Sequence, residues 1–366
     1  MIILLSLTSC IEEFTPKDID ETNNLLIVDG LITEGESIIR LTRSVGLNEN
    51  ISQTKFVMNA ELYVECSDGT KYPFALNSGY AEYITKIDRL KTDQKYRLVI
   101  KVDGLEYHSD YIEPQITPEM DDISVKKDND SDASVRVSTH GSETDSKYYR
   151  WTYNEIWEIK SRVEALAGIV ADTLAMYHPI DGPINPGLHC WVYNKSRGYK
   201  LGTSEMLSEN RIDGKKIIET SVNDERFSQL YYIEVSQNSI SKAAYDYITN
   251  IEKNIQDIGS IFGPMPSEMK GNITCVTDPN NPVIGYIDIS TTKTKSFFLH
   301  YPNDVYEEGF MLCKIEEGYP QGSYGIVSFY EVDGKINYTI APLKCMDCRH
   351  NGGTKIKPPF WPNDHQ

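Results

Sequence analysis

Residues 25–43 contain Leu25-Leu26-Ile27-Val28-Asp29-Gly30-Leu31-Ile32, a short polar connection, and then Ser37-Ile38-Ile39-Arg40-Leu41-Thr42-Arg43. The first run is rich in β-branched and aliphatic residues, and the second places apolar side chains at period two in its later half. Side chains alternate across a strand, so this pattern predicts two paired strands with one face on a core. The same pattern extends outward through Ala60–Glu65, ahead of the Asp68-Gly69 turn. It continues through Tyr96, Leu98, Ile100 and Val102 up to Asp103-Gly104, a dipeptide suited to a tight hairpin. Roughly six or seven short strands in about ninety residues, with regularly spaced turn signals, predict a small immunoglobulin-like or transthyretin-like β-sandwich. It occupies residues 25–118 and closes near Pro114 to Pro118.

A larger β-rich domain is expected over residues 119–366. Its charge-dense stretch, Lys126 to Ser134, suits an exposed turn or linker, and Val135-Arg136-Val137 resumes the strand pattern. Tyr149, Trp151 and Tyr153 alternate with polar residues, and Ile156, Trp157 and Ile159 extend the series, which reads as strand. From Ala165 to Pro186 the pattern is weak and Pro179, Pro183 and Pro186 interrupt it, so a long loop or insertion is expected. One substantial helix is predicted at about 240–258, because Ile240, Ala244, Tyr247, Ile248, Ile251, Ile255 and Ile258 share one face at 3.6 spacing. Ser239 or Ser241 offers its N-cap and Gly259 its stop. Strands return at Val283–Ser290, Ser296–His300 and Gly325–Val332, the last turning at Asp333-Gly334 into Ile336–Ile340. The fold class is therefore mainly β.

The chain has 366 residues with 54 acidic against 36 basic, a formal charge of -18. Nucleic acid is an unsuitable partner for it, since phosphate-backbone binding depends on clustered cations. Met1–Ser9 reads MIILLSLTS and precedes Cys10, which makes a lipobox: residues 1–9 read as a signal peptide and Cys10 as the lipidation site. Acyl chains on such a cysteine anchor a protein to a membrane at about 0.8 kcal/mol per buried methylene. No Lys or Arg precedes the apolar run, so a start upstream of Met1 is an open alternative. Residues 10–24 form an acidic tether, and Glu12-Glu13 behind the cysteine resembles an export signal for the outer face of a Gram-negative outer membrane. A plain solvated linker, with the domain on the periplasmic face, is the competing reading.

Besides Cys10 there are Cys66, Cys190, Cys275, Cys313, Cys345 and Cys348, an even number that favours disulfides in an exported chain. Cys345 and Cys348 either close a small loop or take partners among Cys190, Cys275 and Cys313, while Cys66 is expected as a buried free thiol. The rival reading sets Cys345 and Cys348 with His350 and His189-Cys190 as a zinc shell. Asp128, Asp130 and Asp132 open like a calcium loop, but Ala133 and Thr139 stand where the glycine and glutamate of such a loop belong. Nucleophile-elbow, metalloprotease, P-loop and dinucleotide-binding motifs are absent from the sequence, no cofactor is called for, and nothing compels an enzyme. The 24 tyrosines against 10 phenylalanines suit surfaces that bury a ring and offer a hydroxyl, with Trp157, Trp191 and Tyr193 as candidate ligand platforms.

Four groups of residues carry a family resemblance: Leu26–Thr33, Tyr149-Arg150-Trp151, and the helix followed by Gly259–Ser267 and Gly271-Asn272-Ile273, then the ending from Cys345 and Cys348 through Gly352-Gly353 to Pro358-Pro359-Phe360-Trp361-Pro362. Together they resemble an uncharacterised family of outer-membrane lipoproteins that carry a domain of unknown function, over nearly the whole mature chain. Members are often encoded beside TonB-dependent transporters. The resemblance implies a non-catalytic accessory of such a transporter that captures a peptide, glycan or metal chelate, and it implies structural roles for the C-terminal motif. A surface hydrolase of peptides or glycans and a structural or adhesive surface protein are the alternatives.

Overall fold

The computed structural model describes residues 24–45, 54–164, 167–170, 173–176, 188–257, 271–300, 302–306 and 313–363. The protein is mainly β, in two units: Met1–Pro114 with Asp246–Ile289, and Gln115–Tyr245 with Ser290–Gln366. The signal peptide, Cys10 and most of the tether lie outside the described residues. Among the described residues, no helix is long and apolar enough to cross a membrane.

In the first unit Leu26–Thr33 pairs antiparallel with Gly35–Arg43, Val28 standing opposite Leu41 and Gly30 opposite Ile39. One sheet runs Val283–Gly285, Leu26–Thr33, Gly35–Arg43, Glu82–Ile87, Ala75–Asn77. The other runs Ile273–Cys275, Leu105–Ser109, Tyr96–Val102, Glu61–Cys66, Lys71–Pro73. Alternate residues of both, among them Val28, Ile39, Leu41, Val64, Leu98 and Ile100, meet in one buried cluster, which makes the unit a β-sandwich. Asp103 and Gly104 both have positive φ, 52° and 78°, and turn the chain from Tyr96–Val102 into Leu105–Ser109.

The domain boundaries expected from sequence need correction here. Residues 246–289 belong with the first unit, although they follow the chain of the second. Two short strands account for this, because each adds its backbone hydrogen bonds to one edge of a first-unit sheet. Ile273 stands opposite Ser109, and Val283–Gly285 runs parallel to Leu26–Val28. The second contact requires glycine: a Cβ on Gly285, at φ +154°, would lie 2.6 Å from the Val28 carbonyl oxygen.

The second unit is also a sandwich. Its smaller sheet is Met120–Lys127, Asp132–His140, Arg211–Ser221. Its larger sheet is His189–Lys195, Tyr148–Lys160, Tyr231–Ile240, Thr292–Leu299. Val135, Val137, Ile212, Tyr149, Trp151, Tyr231 and Ile233 share the core between them. The charge-dense Lys126–Ser134 stretch is the hairpin connection between two strands of the smaller sheet. A further sheet runs Thr173–Met176, Ala167–Val170, Tyr324–Val332, Lys335–Pro342, Glu316–Glu317. The long loop expected over Ala165–Pro186 therefore holds two short strands, and residues 177–187 lie outside the described residues.

The helix spans Lys242–Asp257, and the Ser241 hydroxyl oxygen accepts from the Ala244 N–H at 3.1 Å as its N-cap. Ala244 and Tyr247 are buried, while Ile240, expected on the helical stripe, ends the preceding strand. Ile258 and Gly259 lie outside the described residues.

Candidate functional site

The Tyr148–Lys160 strand carries the unusual chemistry of the second unit. Alternation sends Tyr149 and Trp151 into the sandwich core and Ile156 to the opposite face of the same sheet. Two glutamates on this strand, Glu155 and Glu158, are each only 1% exposed. A buried carboxylate needs partners, and each has its own set.

Glu155 accepts from the Arg226 guanidinium, the Tyr231 hydroxyl and the Asn194 side-chain amide, each at 2.8 Å. Arg226 also pairs with Asp224 at 3.1 Å, and its guanidinium lies over the Trp157 ring, 5.3 Å from the centroid. Burial works against the Arg226 charge, but Glu155 and Asp224 outweigh it and raise its pKa above the ordinary guanidinium value. Burial first, and then the Glu155 charge, push the Tyr231 hydroxyl well above the usual phenol range. The result is a buried carboxylate held by three donors. Glu158, on the opposite face, pairs with His189 and accepts the Trp361 indole N–H at 3.4 Å. The His189 ring stacks at a tilt on Trp191, 4.8 Å between centroids. These two carboxylates face away from one another and share no cleft.

The face around Glu158 lies beneath the C-terminal segment. Trp191 and Thr354 exchange two backbone hydrogen bonds of 2.8 and 2.9 Å, and the Tyr193 hydroxyl donates to the Ile356 carbonyl at 2.9 Å. Further on, Phe360 packs on Tyr232 and Trp361 meets Phe298 edge-on, at 4.8 and 5.8 Å between centroids. The three aromatic residues expected as ligand platforms are therefore divided. Trp157 is half-buried beside Arg226, Trp191 is 8% exposed, and only Tyr193, at 48%, keeps an open ring. They do not form one open surface, because the C-terminal segment covers the position that a ligand on Trp191 would take.

Four cysteines of the second unit are joined, Cys190 with Cys348 and Cys313 with Cys345. The expectation that Cys275 belongs to the disulfide set is corrected: it is reduced and buried in the first unit, its sulfur 3.5 Å from the Thr277 hydroxyl. That placement separates it from the four paired cysteines, all of which belong to the other unit. Cys66 is likewise a buried free thiol. The zinc reading of Cys345, Cys348 and Cys190 loses its thiolates to these bonds, and among the described residues no group of three or more potential ligands gathers. The calcium reading fares similarly. Asp128 takes Arg136 at 2.5 Å, Lys216 at 2.8 Å and the Ser134 hydroxyl at 3.0 Å. Burial opposes its charge, but Lys216, Arg136 and Ser134 lower the Asp128 pKa to about 2.

Glu155, Glu158 and Arg226 are residues that sequence reasoning passed over, and His189 entered it only as a zinc ligand. One signal was present: two carboxylates inside a strand rich in aromatic and aliphatic residues, where a core-lining run would otherwise be continuous.

Fold and site together define a protein of β-sandwich units whose second unit buries two carboxylates on opposite faces of one sheet, one of them beneath a disulfide-held C-terminal segment. The chain belongs to the family described as a domain of unknown function, DUF4249, whose model matches residues 11–296. The match ends before Cys313, so the C-terminal motif lies beyond it, whereas the resemblance was expected over nearly the whole mature chain. Comparison with curated proteins matched none. A solved structure, a two fibronectin type-III domain segment from chicken tenascin, is similar at 12% identity and a TM-score of 0.16, over 76% of this chain and 99% of that one.

Proposed function

We propose that the chain is an outer-membrane lipoprotein, anchored at the cell surface through acylated Cys10, that serves a TonB-dependent nutrient uptake system as a non-catalytic binding accessory. The lipobox ending at Cys10 carries this reading, with an acidic tether behind it. Two disulfides in the second unit support it, because such bonds persist in oxidising compartments outside the cytosol. The burial of Glu155 and Glu158 on opposite faces of one strand supports binding over acid–base work, which needs groups converging on one substrate. The captured molecule in this reading is a peptide, a glycan or a metal chelate.

Mass spectrometry of the N-terminal peptide from native membranes tests the anchor, with a diacylglyceryl mass on Cys10 expected. Affinity capture from detergent-solubilised outer membranes tests the partner, with a transporter barrel expected at near-equal stoichiometry. An unmodified Cys10, or repeated capture without a barrel, overturns the corresponding half of the reading.

A further inference from the structure

We propose that the outer face of the second unit's larger sheet is a groove for a linear Pro-x-x-Trp motif of a partner polypeptide, and that the chain's own residues 354–361 fill it as an internal stand-in. The C-terminal segment is seated as a bound peptide is. It makes a single two-bond bridge, between Thr354 and Trp191, and then leaves Lys355, Ile356 and Lys357 exposed. Pro358 and Trp361, both buried, anchor the remainder of the segment, with Pro359 and Phe360 between them exposed. The Trp361 N–H donates to the Pro358 carbonyl at 3.0 Å, so a tight turn presents both anchors to the sheet. Few anchors, an exposed remainder and main-chain pairing at one point are the features of linear-motif docking.

The walls of the groove come from the sandwich, not from the segment. Ile156, Trp191, Leu230, Tyr232 and Phe298 receive Trp361, and each sits on or beside a strand fixed by sheet pairing. Its polar element is Glu158, oriented by His189 and aimed at the indole N–H, which selects tryptophan over phenylalanine. A second observation points to a ligand other than this segment. The Trp191 indole N–H is buried and has no acceptor among the described residues, so the internal occupant leaves one donor of the groove unmet. A partner segment that brings a carbonyl to Trp191 satisfies it and gains over the stand-in. The stand-in holds its place by tethering: Cys348 is bonded to Cys190, and Gly353 passes so close that a Cβ there would lie 2.6 Å from the Cys190 Cβ. A tether of this length keeps the effective concentration of the segment high, so the groove opens to a partner only when the segment is displaced.

The test uses the chain ended after Gly353, which retains both disulfides, and a labelled synthetic peptide of residues 354–363. Saturable one-to-one binding to the shortened chain is expected. At least a ten-fold loss is expected when the peptide carries Trp361→Phe or the chain carries Glu158→Gln, and the uncut full-length chain should bind at least ten-fold more weakly. Absence of binding to a folded shortened chain overturns the proposal, as does equal binding to the full-length chain. Should the shortened chain not fold, a protease site inserted between Gly352 and Gly353 allows the segment to be cut after folding. Excess peptide should then exchange with it, and complete retention of the cut segment overturns the proposal. Sedimentation of the full-length chain separates the sources of the partner segment. A dimer that vanishes on shortening assigns it to a second copy and overturns the assignment to another polypeptide, whereas a monomer supports that assignment.

Discussion

The first sandwich fills its core with Val28, Ile39, Leu41, Val64, Leu98 and Ile100 and keeps Cys66 and Cys275 reduced within it. The second surrounds Trp151, Tyr231 and Phe227 with the buried Glu155–Arg226 pair and joins four cysteines. Apolar burial is graded, with each methylene contributing its own increment, whereas a buried ion pair fails abruptly when one partner is removed. Closure differs too. The returning strands Ile273–Cys275 and Val283–Gly285 add to the first unit through backbone hydrogen bonds, and covalent bonds hold the C-terminal segment of the second. The second unit should therefore be the more sensitive to single charge changes and to reductant.

The largest expected effect breaks this contrast at its electrostatic centre. Arg226→Ala leaves Glu155 buried without its cation and should destabilise the second unit by about 3–5 kcal/mol. Pairing Arg226→Met with Glu155→Gln should recover most of that loss, since the uncompensated charge is gone. Trp151, Trp157, Trp191 and Trp361 are the only tryptophans and all lie in the second unit, so fluorescence during urea unfolding reads that unit alone. Next in size, changing Cys190 and Cys348 together to serine should cost the second unit about 2–4 kcal/mol and leave the first unit's calorimetric transition in place. Gly285→Ala should act on the opposite unit. Its clash with the Val28 carbonyl should cost the first unit about 1–3 kcal/mol with the tryptophan transition unmoved.

These contrasts also mark what sequence could reveal. The Leu26–Thr33 and Gly35–Arg43 hairpin was legible because alternation and pairing are both local, and the helix because its apolar stripe and Ser241 cap occur within one stretch. Ile273–Cys275 was not assigned to the first unit, since a three-residue strand carries no period and its partner at Leu105–Ser109 is remote in the chain. The strands at Ala167–Val170 and Thr173–Met176 were hidden by small residues and by the prolines beyond them. Cysteine parity favoured disulfides with Cys275 among the candidates, but only spatial proximity decides pairing, and Cys275 belongs to the other unit. Glu155 and Glu158 escaped notice because carboxylates in a chain of charge -18 look like solvated surface. Their burial depends on cover supplied by Tyr231 on one face and by Trp361 on the other.

The smallest expected effect sharpens the comparison at acid pH, through one carboxylate of lowered pKa chosen from each unit. In the second unit Asp128 titrates at about 2, its burial outweighed by Lys216 and Arg136. In the first, burial of Glu65 is outweighed by Arg97 and Tyr111, and its pKa also lies below the usual value. A pKa lower in the folded than in the unfolded chain means that folding favours the ionised form. The stabilisation is therefore complete above the ordinary carboxylate pKa and is lost as pH falls through the folded value, between about 4 and about 2 for Asp128. Asp128→Asn should lower the second unit's melting temperature by a few degrees at neutral pH and by progressively less toward pH 2, because the native protein loses the same interaction on protonation. Glu65→Gln should do the same to the first unit alone. A shift independent of pH in either case would show that lost packing, not lost charge, is responsible, and would place that carboxylate with the apolar contacts in the comparison.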